Sequence, residues 1–256
     1  MPRVNVNGTE IAYSVAGTGP AAVFVHGSGC DGSLWYFQTQ ELTKHFSVVA
    51  IDLNGHGQSP LRAGNALESY VEDVLAVLDA LSVSVLLVGH SLGSAVVQTI
   101  ALRKPENVAA IGLIGAGAKL RVHPTIFETV DADFPKAVEL ILQWSFTQPV
   151  NPTLIERARE QMVRHGPVVL ARDFRACDSF NVMERISEIA LPTLIVCGRQ
   201  DQLTPLKYSE HLKNQISRAE LQVIDGAGHR VMEEQPASVN RALREFMRNR
   251  SKLSCQ

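Results

Sequence analysis

The sequence predicts an α/β architecture, a mostly parallel sheet flanked by helices with a helical cap, and three observations carry that prediction. Compact apolar runs end repeatedly in glycine, aspartate or turn residues. Segments with apolar residues at helical spacing lie between several of those runs, as expected when helices cover both faces of a parallel sheet. One long interval, from Lys119 to about Ile189, breaks the alternation and shows only helical and irregular patterns.

Taken in order, "VNVNGTEIAYSVAG" reads as a hairpin closed by Asn7-Gly8, a pair suited to the left-handed backbone of a tight hairpin turn. The runs "AAVFV" (21–25), "SVVAIDL" (47–53), "VLLVG" (85–89), "AAIGLIG" (109–115), "TLIVCG" (193–198) and "LQVIDG" (221–226) read as strands. "SYVEDVLAVLDAL" carries Val71, Val74, Leu75, Leu78 and Leu81 on one helical face, and "SLGSAVVQTIALRK" gives a second helix. The last helix, "PASVNRALREFMRN", opens with Pro236, whose missing N–H costs nothing in a first turn. The interval 119–189 is too long for a plain crossover and is expected to be a helical cap inserted between two core segments, 1–118 and 190–256.

Composition narrows the class. The chain has 256 residues, 45% of them hydrophobic and 20% charged, as in a globular protein with a large core. A formal charge of −2 and the lack of a basic stripe argue against nucleic-acid and anionic-membrane partners. No apolar run is long enough for a bilayer, and the start "MPRVNVNGTEI" lacks the apolar centre of a secretory signal, so a cytoplasmic location is expected. Cys30, Cys177, Cys197 and Cys255 show no paired or metal-like spacing and read as free thiols. Ser251-Lys252-Leu253 looks like a peroxisomal address, but such a signal must be terminal and three residues follow it. Neither a metal nor an organic cofactor is expected. The eight histidines form no short ligand cluster, there is no H-E-x-x-H, and "GSGCDG" lacks dinucleotide-binding spacing.

The chemistry centres on "LLVGHSLGSAV", residues 86–96, where Ser91 stands between a strand-like run and a helical pattern. Gly89 and Gly93 remove side chains that would collide in a turn tight enough to hold the hydroxyl out. The helix that follows aims its first free N–H groups at the same point, which suits an anion. "VCGRQDQLTP" places Asp201 just beyond a later strand, and "VIDGAGHRVMEEQP" places His229 beyond another. Serine, acid and histidine in that order match the nucleophile-elbow arrangement. Taken alone, Asp201 could equally cap a helix. Asp225 lies on the strand before His229 and is the poorer acid. His90, next to the nucleophile on a tight turn, reads as a packing or hydrogen-bonding residue, as do His26 and His56. Cys30 reads as a buried filler.

The segments "FVHGSG", "DLNGHGQS", "GHSLG", "GRQDQLTP" and "GAGHRVMEEQP" resemble those of the α/β-hydrolase family, in its capped esterase-like branch, over almost the full length of the chain. The resemblance implies Ser91 as nucleophile, Asp201 as acid and His229 as base. It also implies an oxyanion hole made by the backbone N–H groups of Ser28 and Leu92, a loop shaped by His26-Gly27, and a scaffolding turn over residues 52–57. An aspartate nucleophile, as in dehalogenases and epoxide hydrolases of this fold, is replaced here by Ser91. The expected reaction is cleavage of a small or medium, mostly apolar carboxylic ester through an acyl-enzyme, with no cofactor. Trp35 and the cap aromatics Phe127, Phe134, Trp144, Phe146 and Phe174 are the substrate-binding candidates. Thioesterase, lactonase and C–C hydrolase chemistries share such cores. A C–C hydrolase acting on vinylogous diketone acids gains weight if Arg121, Arg172 or Arg175 turns inward. A non-catalytic receptor for a small ligand is the alternative of a different class, against which the complete Ser-Asp-His set argues.

Overall fold

The β-branched and leucine-rich runs form one eight-stranded sheet in the computed structural model, which describes residues 1–251. Cys255 and the end of the Ser251-Lys252-Leu253 tripeptide lie outside the described residues. The strands are β1 (Arg3–Val6), β2 (Thr9–Ala16), β3 (Ala21–Val25), β4 (Ser47–Ile51), β5 (Val85–His90), β6 (Val108–Ile114), β7 (Thr193–Gly198) and β8 (Ala219–Ile224). Their spatial order is β1-β2-β4-β3-β5-β6-β7-β8. The first two form the expected hairpin, with Asn7 and Gly8 at φ of +51° and +84°. β2 joins β4 antiparallel, and every later pairing is parallel.

Side-chain alternation divides the core into two layers. Val23, Val25, Val49, Ile51, Leu87 and Ile111 point to one face, while Ala22, Phe24, Val48, Ala50, Leu86 and Val88 point to the other. Both faces are dry, which is why these strands read as continuous apolar runs. β8 begins and ends two residues earlier than its apolar run suggests, pairing Ala219 with Thr193 and Ile224 with Gly198. It is an edge strand, and its alternate residues Glu220 and Gln222 hide its true start from a search for unbroken apolar stretches.

Nine helices are formed by the described residues: α1 (Tyr36–Leu42), α2 (Ala66–Leu81), α3 (Leu92–Leu102), α4 (Pro124–Ala132), α5 (Phe134–Ser145), α6 (Pro152–Ser179), α7 (Leu206–Gln215), α8 (Val231–Glu234) and α9 (Pro236–Ser251). None is long and apolar enough to cross a membrane. α2, α3 and α7 cover the first face of the sheet, and α1, α8 and α9 the second. α4, α5 and α6 are the extra helices that form the cap, with a core of their own that includes Ile126, Val138, Leu142, Phe146, Ala158 and Leu170. Each starts where the chain provides both a cap and a proline. The ring of His123 and the side-chain oxygens of Asp133 and Asn151 accept backbone N–H groups of the first turns, and Pro124, Pro135 and Pro152 occupy early positions. α6 is bent at Gly166, whose φ of +78° and ψ of 175° are non-helical, and Pro167 follows with no N–H to give.

Candidate active site

β5 ends at His90 and α3 begins at Leu92, so Ser91 alone makes the turn, at φ +51° and ψ −114°. A left-handed backbone of this kind costs a non-glycine residue about 1–3 kcal/mol and persists only when its surroundings hold it. Here the Ser91 N–H donates to the Ile114 carbonyl at 3.0 Å, and the Ser91 carbonyl accepts from Ser94 N at 2.8 Å and Ser94 Oγ at 2.6 Å. The flanking glycines are required by contact. A Cβ on Gly89 would lie 2.2 Å from the Gly93 carbonyl oxygen, and a Cβ on Gly93 would lie 2.3 Å from that of Val25. These are backbone atoms, which no rotamer change can move aside.

Asp201 and His229 come from the loops after β7 and β8. Asp201 both caps a turn and binds the histidine. Its Oδ1 caps the following turn, accepting the N–H groups of Leu203 at 2.9 Å and Thr204 at 2.8 Å, and its Oδ2 accepts from His229 Nδ1 at 2.9 Å. The Thr204 hydroxyl also donates to Oδ2, at 2.7 Å. Burial pushes the Asp201 carboxyl up, but the His229 ring and these donors outweigh it and hold the group below the usual carboxylate range. With Nδ1 committed to Asp201, Nε2 of His229 has no hydrogen-bond partner among the described residues. His229 and Ser91 border the same cavity, of about 600 Å³. Asp225 is exposed and paired with Arg199, away from this arrangement.

His90 supports the histidine from behind. Its Nε2–H donates to the His229 carbonyl at 3.0 Å, and the two rings lie 4.7 Å apart. Burial, with His229 and Arg230 close by, holds the His90 ring well below its usual pKa, hence neutral. Arg230 anchors the next residue of the loop: its N–H donates to the Ser145 carbonyl at 3.1 Å, and its guanidinium is paired with Glu233 above the Phe146 ring.

The backbone N–H groups of Ser28 and Leu92 have no acceptor among the described residues. Two free donors therefore stand near Ser91, one on the loop after β3, where a Cβ on Gly27 would lie 3.2 Å from Ser91 Cβ, and one at the start of α3. The Ser28 hydroxyl lies 3.6 Å from the thiol of Cys177, one of three buried free thiols among the described residues. Burial pushes the Cys30 and Cys177 thiols up to about 12, as befits inert fillers.

The cavity separates the aromatic candidates. Trp144 and Phe174 form part of its wall. Trp35 does not: it is fully buried against Phe24, at 4.9 Å between ring centroids, in the core on the second face of the sheet. Phe146 is equally buried, in the cap's own core. Phe127 is also off the wall, because Ile126 faces the cavity and consecutive helical residues point about 100° apart. Phe134 opens α5, ten residues or about 15 Å of helix away from Trp144, and packs on the cap core.

Of the three arginines, Arg172 donates to Asn54 Oδ1 at 2.7 Å and to Ser69 Oγ at 2.8 Å, and Arg175 is exposed. Arg121 borders the cavity, beside His123, with no acidic partner among the described residues. His123, Leu120 and Val122 on that segment, and Leu203 and Tyr208 after β7, are wall residues that the sequence reading missed. Their position just beyond the carboxyl ends of β6 and β7 was the available signal.

A family model described as "Alpha/beta hydrolase family" matches residues 22–242. The solved structure of a thermophilic esterase is 34% identical and superposes with a TM-score of 0.89, covering 97% of each chain. Est816, titled an N-acyl homoserine lactone degrading enzyme, is 28% identical with a TM-score of 0.87, covering 96% of this chain and 100% of its own. The (E)-2-((N-methylformamido)methylene)succinate hydrolase of Acinetobacter baylyi is 24% identical over 252 residues, 94% of this chain and 95% of the relative.

Proposed function

The chain belongs to the alpha/beta hydrolase family, and from that premise we propose that it is a serine hydrolase cleaving small or medium, mostly apolar carboxylic esters through an acyl-enzyme. The observation that carries the reading is the strained turn holding Ser91 on the same cavity as a histidine whose other nitrogen is bound to a buried aspartate. The 34% identity to an esterase over nearly the whole chain supports ester cleavage, and the largely apolar wall supports an apolar acyl group.

In this mechanism His229 Nε2 takes the proton of Ser91 Oγ as Oγ attacks the ester carbonyl. Asp201 fixes the tautomer and favours the imidazolium that results. Negative charge gathers on the carbonyl oxygen, where the N–H groups of Ser28 and Leu92 receive it. Loss of one such donor costs about 3 to 4 kcal/mol of barrier, or two to three decades in rate. The tetrahedral intermediate then collapses, His229 protonates the leaving alkoxide, and a water activated by the same ring hydrolyses the acyl-enzyme. We assign the cap to residues 119–189, as an insertion in a core made of 1–118 and 190–256. The buried free thiols support a cytoplasmic setting.

The test is covalent labelling by an organophosphonate alongside ester turnover. Ser91→Ala should abolish both, and His229→Ala and Asp201→Asn should slow both sharply, with the fold retained. Labelling of folded Ser91→Ala at the wild-type rate would remove Ser91 from its role, and a wild type without turnover on any ester, thioester or lactone would favour a receptor. A second reading rests on Arg121 and His123 at the cavity: a substrate bearing a carboxylate remote from the reacting carbonyl, including the vinylogous diketone acids of C–C hydrolases. Preference for such an acid over uncharged esters by more than about tenfold in kcat/KM, or 1.4 kcal/mol, would establish that reading instead.

A further inference from the structure

Beyond roofing the cavity, α6 reaches down to the loop that carries one of the proposed oxyanion donors. Residues 27–30 form a turn closed by Cys30 N–H donating to the Gly27 carbonyl at 3.2 Å, with Gly29 in the left-handed region at φ +65°. That is the conformation of a type II turn; the Ser28 N–H belongs to its first peptide, and the middle peptide adjoins it. Here that peptide joins Ser28 to Gly29. Its N–H donates to Asp173 Oδ2 at 2.9 Å, and the next carbonyl, that of Gly29, accepts from His165 Nδ1 at 3.1 Å. The tautomer of His165 follows from its other nitrogen, because Nε2 accepts the Gly57 N–H at 3.1 Å and Nδ1 must therefore carry the proton. Both polar groups of Gly29 are thus held by side chains of one cap helix. A Cβ at Gly29 would also lie 2.8 Å from Leu170 Cδ1 and 3.0 Å from Met162 Cγ, two more α6 residues.

We propose that Asp173 and His165 are positioning residues for the reaction, and that α6 fixes the place of the Ser28 N–H by gripping the adjoining Gly29. This rests on the assignment of Ser28 as an oxyanion donor. Asp173 is fully buried and is itself held from the core side, by His56 Nε2 at 2.9 Å and the Tyr70 hydroxyl at 2.6 Å, so its carboxylate has no freedom to follow a moving loop. Burial pushes this carboxyl up, but His56, the Tyr70 hydroxyl and the Gly29 N–H outweigh it and keep it ionised. An oxyanion donor acts only if it already points at the developing charge, and a shift of about 1 Å can cost up to a hundredfold in rate. The grip on Gly29 supplies that fixity from the cap, so the cap and the chemistry are mechanically joined.

The alternative is that Asp173 merely docks α6 on the core, and Arg172 separates the two. It lies on the same helix and binds the core through Asn54, Ser69 and the Tyr70 hydroxyl, but touches neither Gly29 nor the Asp173 oxygen that holds it. The experiment measures kcat and KM of the full chain for an aryl acetate, the affinity for a trifluoromethyl ketone whose tetrahedral adduct bears the oxyanion, and thermal unfolding. For Asp173→Ala and His165→Gln we expect kcat to fall about tenfold or more, KM to stay within about threefold, and ketone affinity to fall in parallel with kcat/KM. Arg172→Ala should lower the unfolding temperature while keeping kcat. If Asp173→Ala does not fold, His165→Gln, at the bend of α6, carries the test alone. Wild-type kcat in the folded variants, or an equal loss in Arg172→Ala, overturns the proposal. Absence of Ser91-dependent turnover in the wild type overturns the serine-hydrolase reading itself, a result distinct from either.

Discussion

His26, two residues before Ser28, provides a prediction whose size follows from its surroundings. The ring is fully buried. Its Nε2 accepts the Leu53 N–H at 3.2 Å, and its Nδ1 therefore carries the proton and donates to the Gly27 carbonyl at 2.9 Å. A second proton would have to enter at Nε2, against a backbone donor and with the His56 ring 4.7 Å away. Burial first, and then His56, lower the pKa from 6.5 to about 3. A histidine with a depressed folded pKa binds its proton more readily in the unfolded chain. Stability is therefore complete above about 6.5 and is lost progressively as the pH falls toward 3. Between pH 7 and pH 5 this one group should account for a loss of about 2 kcal/mol. Urea unfolding of wild type and His26→Gln at the two pH values measures it. The variant starts less stable at pH 7, since its loop hydrogen bonds are altered, but its drop on acidification should be smaller by about that amount. Equal drops in the two proteins, or an NMR titration of the His26 ring near its ordinary pKa, would refute the reasoning.

The remaining predictions concern the turn, the cavity wall and the free arginine. Gly93→Ala drives a methyl group into the Val25 and His26 carbonyls, at 2.3 and 2.6 Å, and should lower stability by about 3 kcal/mol or more, read by denaturant unfolding. Trp144→Ala should change the dependence of kcat/KM on acyl length, whereas Phe146→Ala should keep that dependence and lose about 3 to 5 kcal/mol of stability. Arg121→Ala should lower kcat/KM for an ester with a remote carboxylate while sparing its uncharged counterpart, and equal effects on both would remove Arg121 from anion recognition.

What the sequence reveals and what it hides follow from different physics. Strands β3, β5 and β7 are covered on both faces, so nearly every residue is apolar and the run is visible; β8 is not, and its start is masked. The turn at Ser91 is visible because the packing of β5 and α3 demands glycine at fixed offsets. Aromatic residues carry no such mark. Trp35 and Phe146 belong to packed cores and Trp144 to the cavity wall, yet each meets the same requirement of a large apolar group turned away from solvent. Asp173 did leave a sign. It stands in the stripe Leu170, Asp173, Phe174, Cys177, at helical spacing, where an acid among apolar neighbours must be paired once buried.

The same contrast sets the main chain that carries Ser91, Asp201 and His229 apart from the wall of the cavity. The loops bearing Asp201 and His229 are set against each other by backbone. A Cβ on Gly198 would lie 2.2 Å from the Gly228 carbonyl oxygen, and the Gln200 N–H donates to the Ala227 carbonyl at 3.0 Å. The turn at Ser91 is held by the Ile114 carbonyl in the same way. Because main-chain atoms and absent side chains define these positions, a change of wall residue on α4 or α5 leaves the Asp201–His229 pair and the turn where they are. α5 meets the His229 loop through the Ser145 carbonyl, again main chain, but α6 acts through side chains. Through Asp173, His165, Leu170 and Met162 it shares the backbone of residues 27–30, so substitutions on its inward face should alter rate as well as selectivity, whereas those at Trp144 or Ile126 should alter selectivity alone.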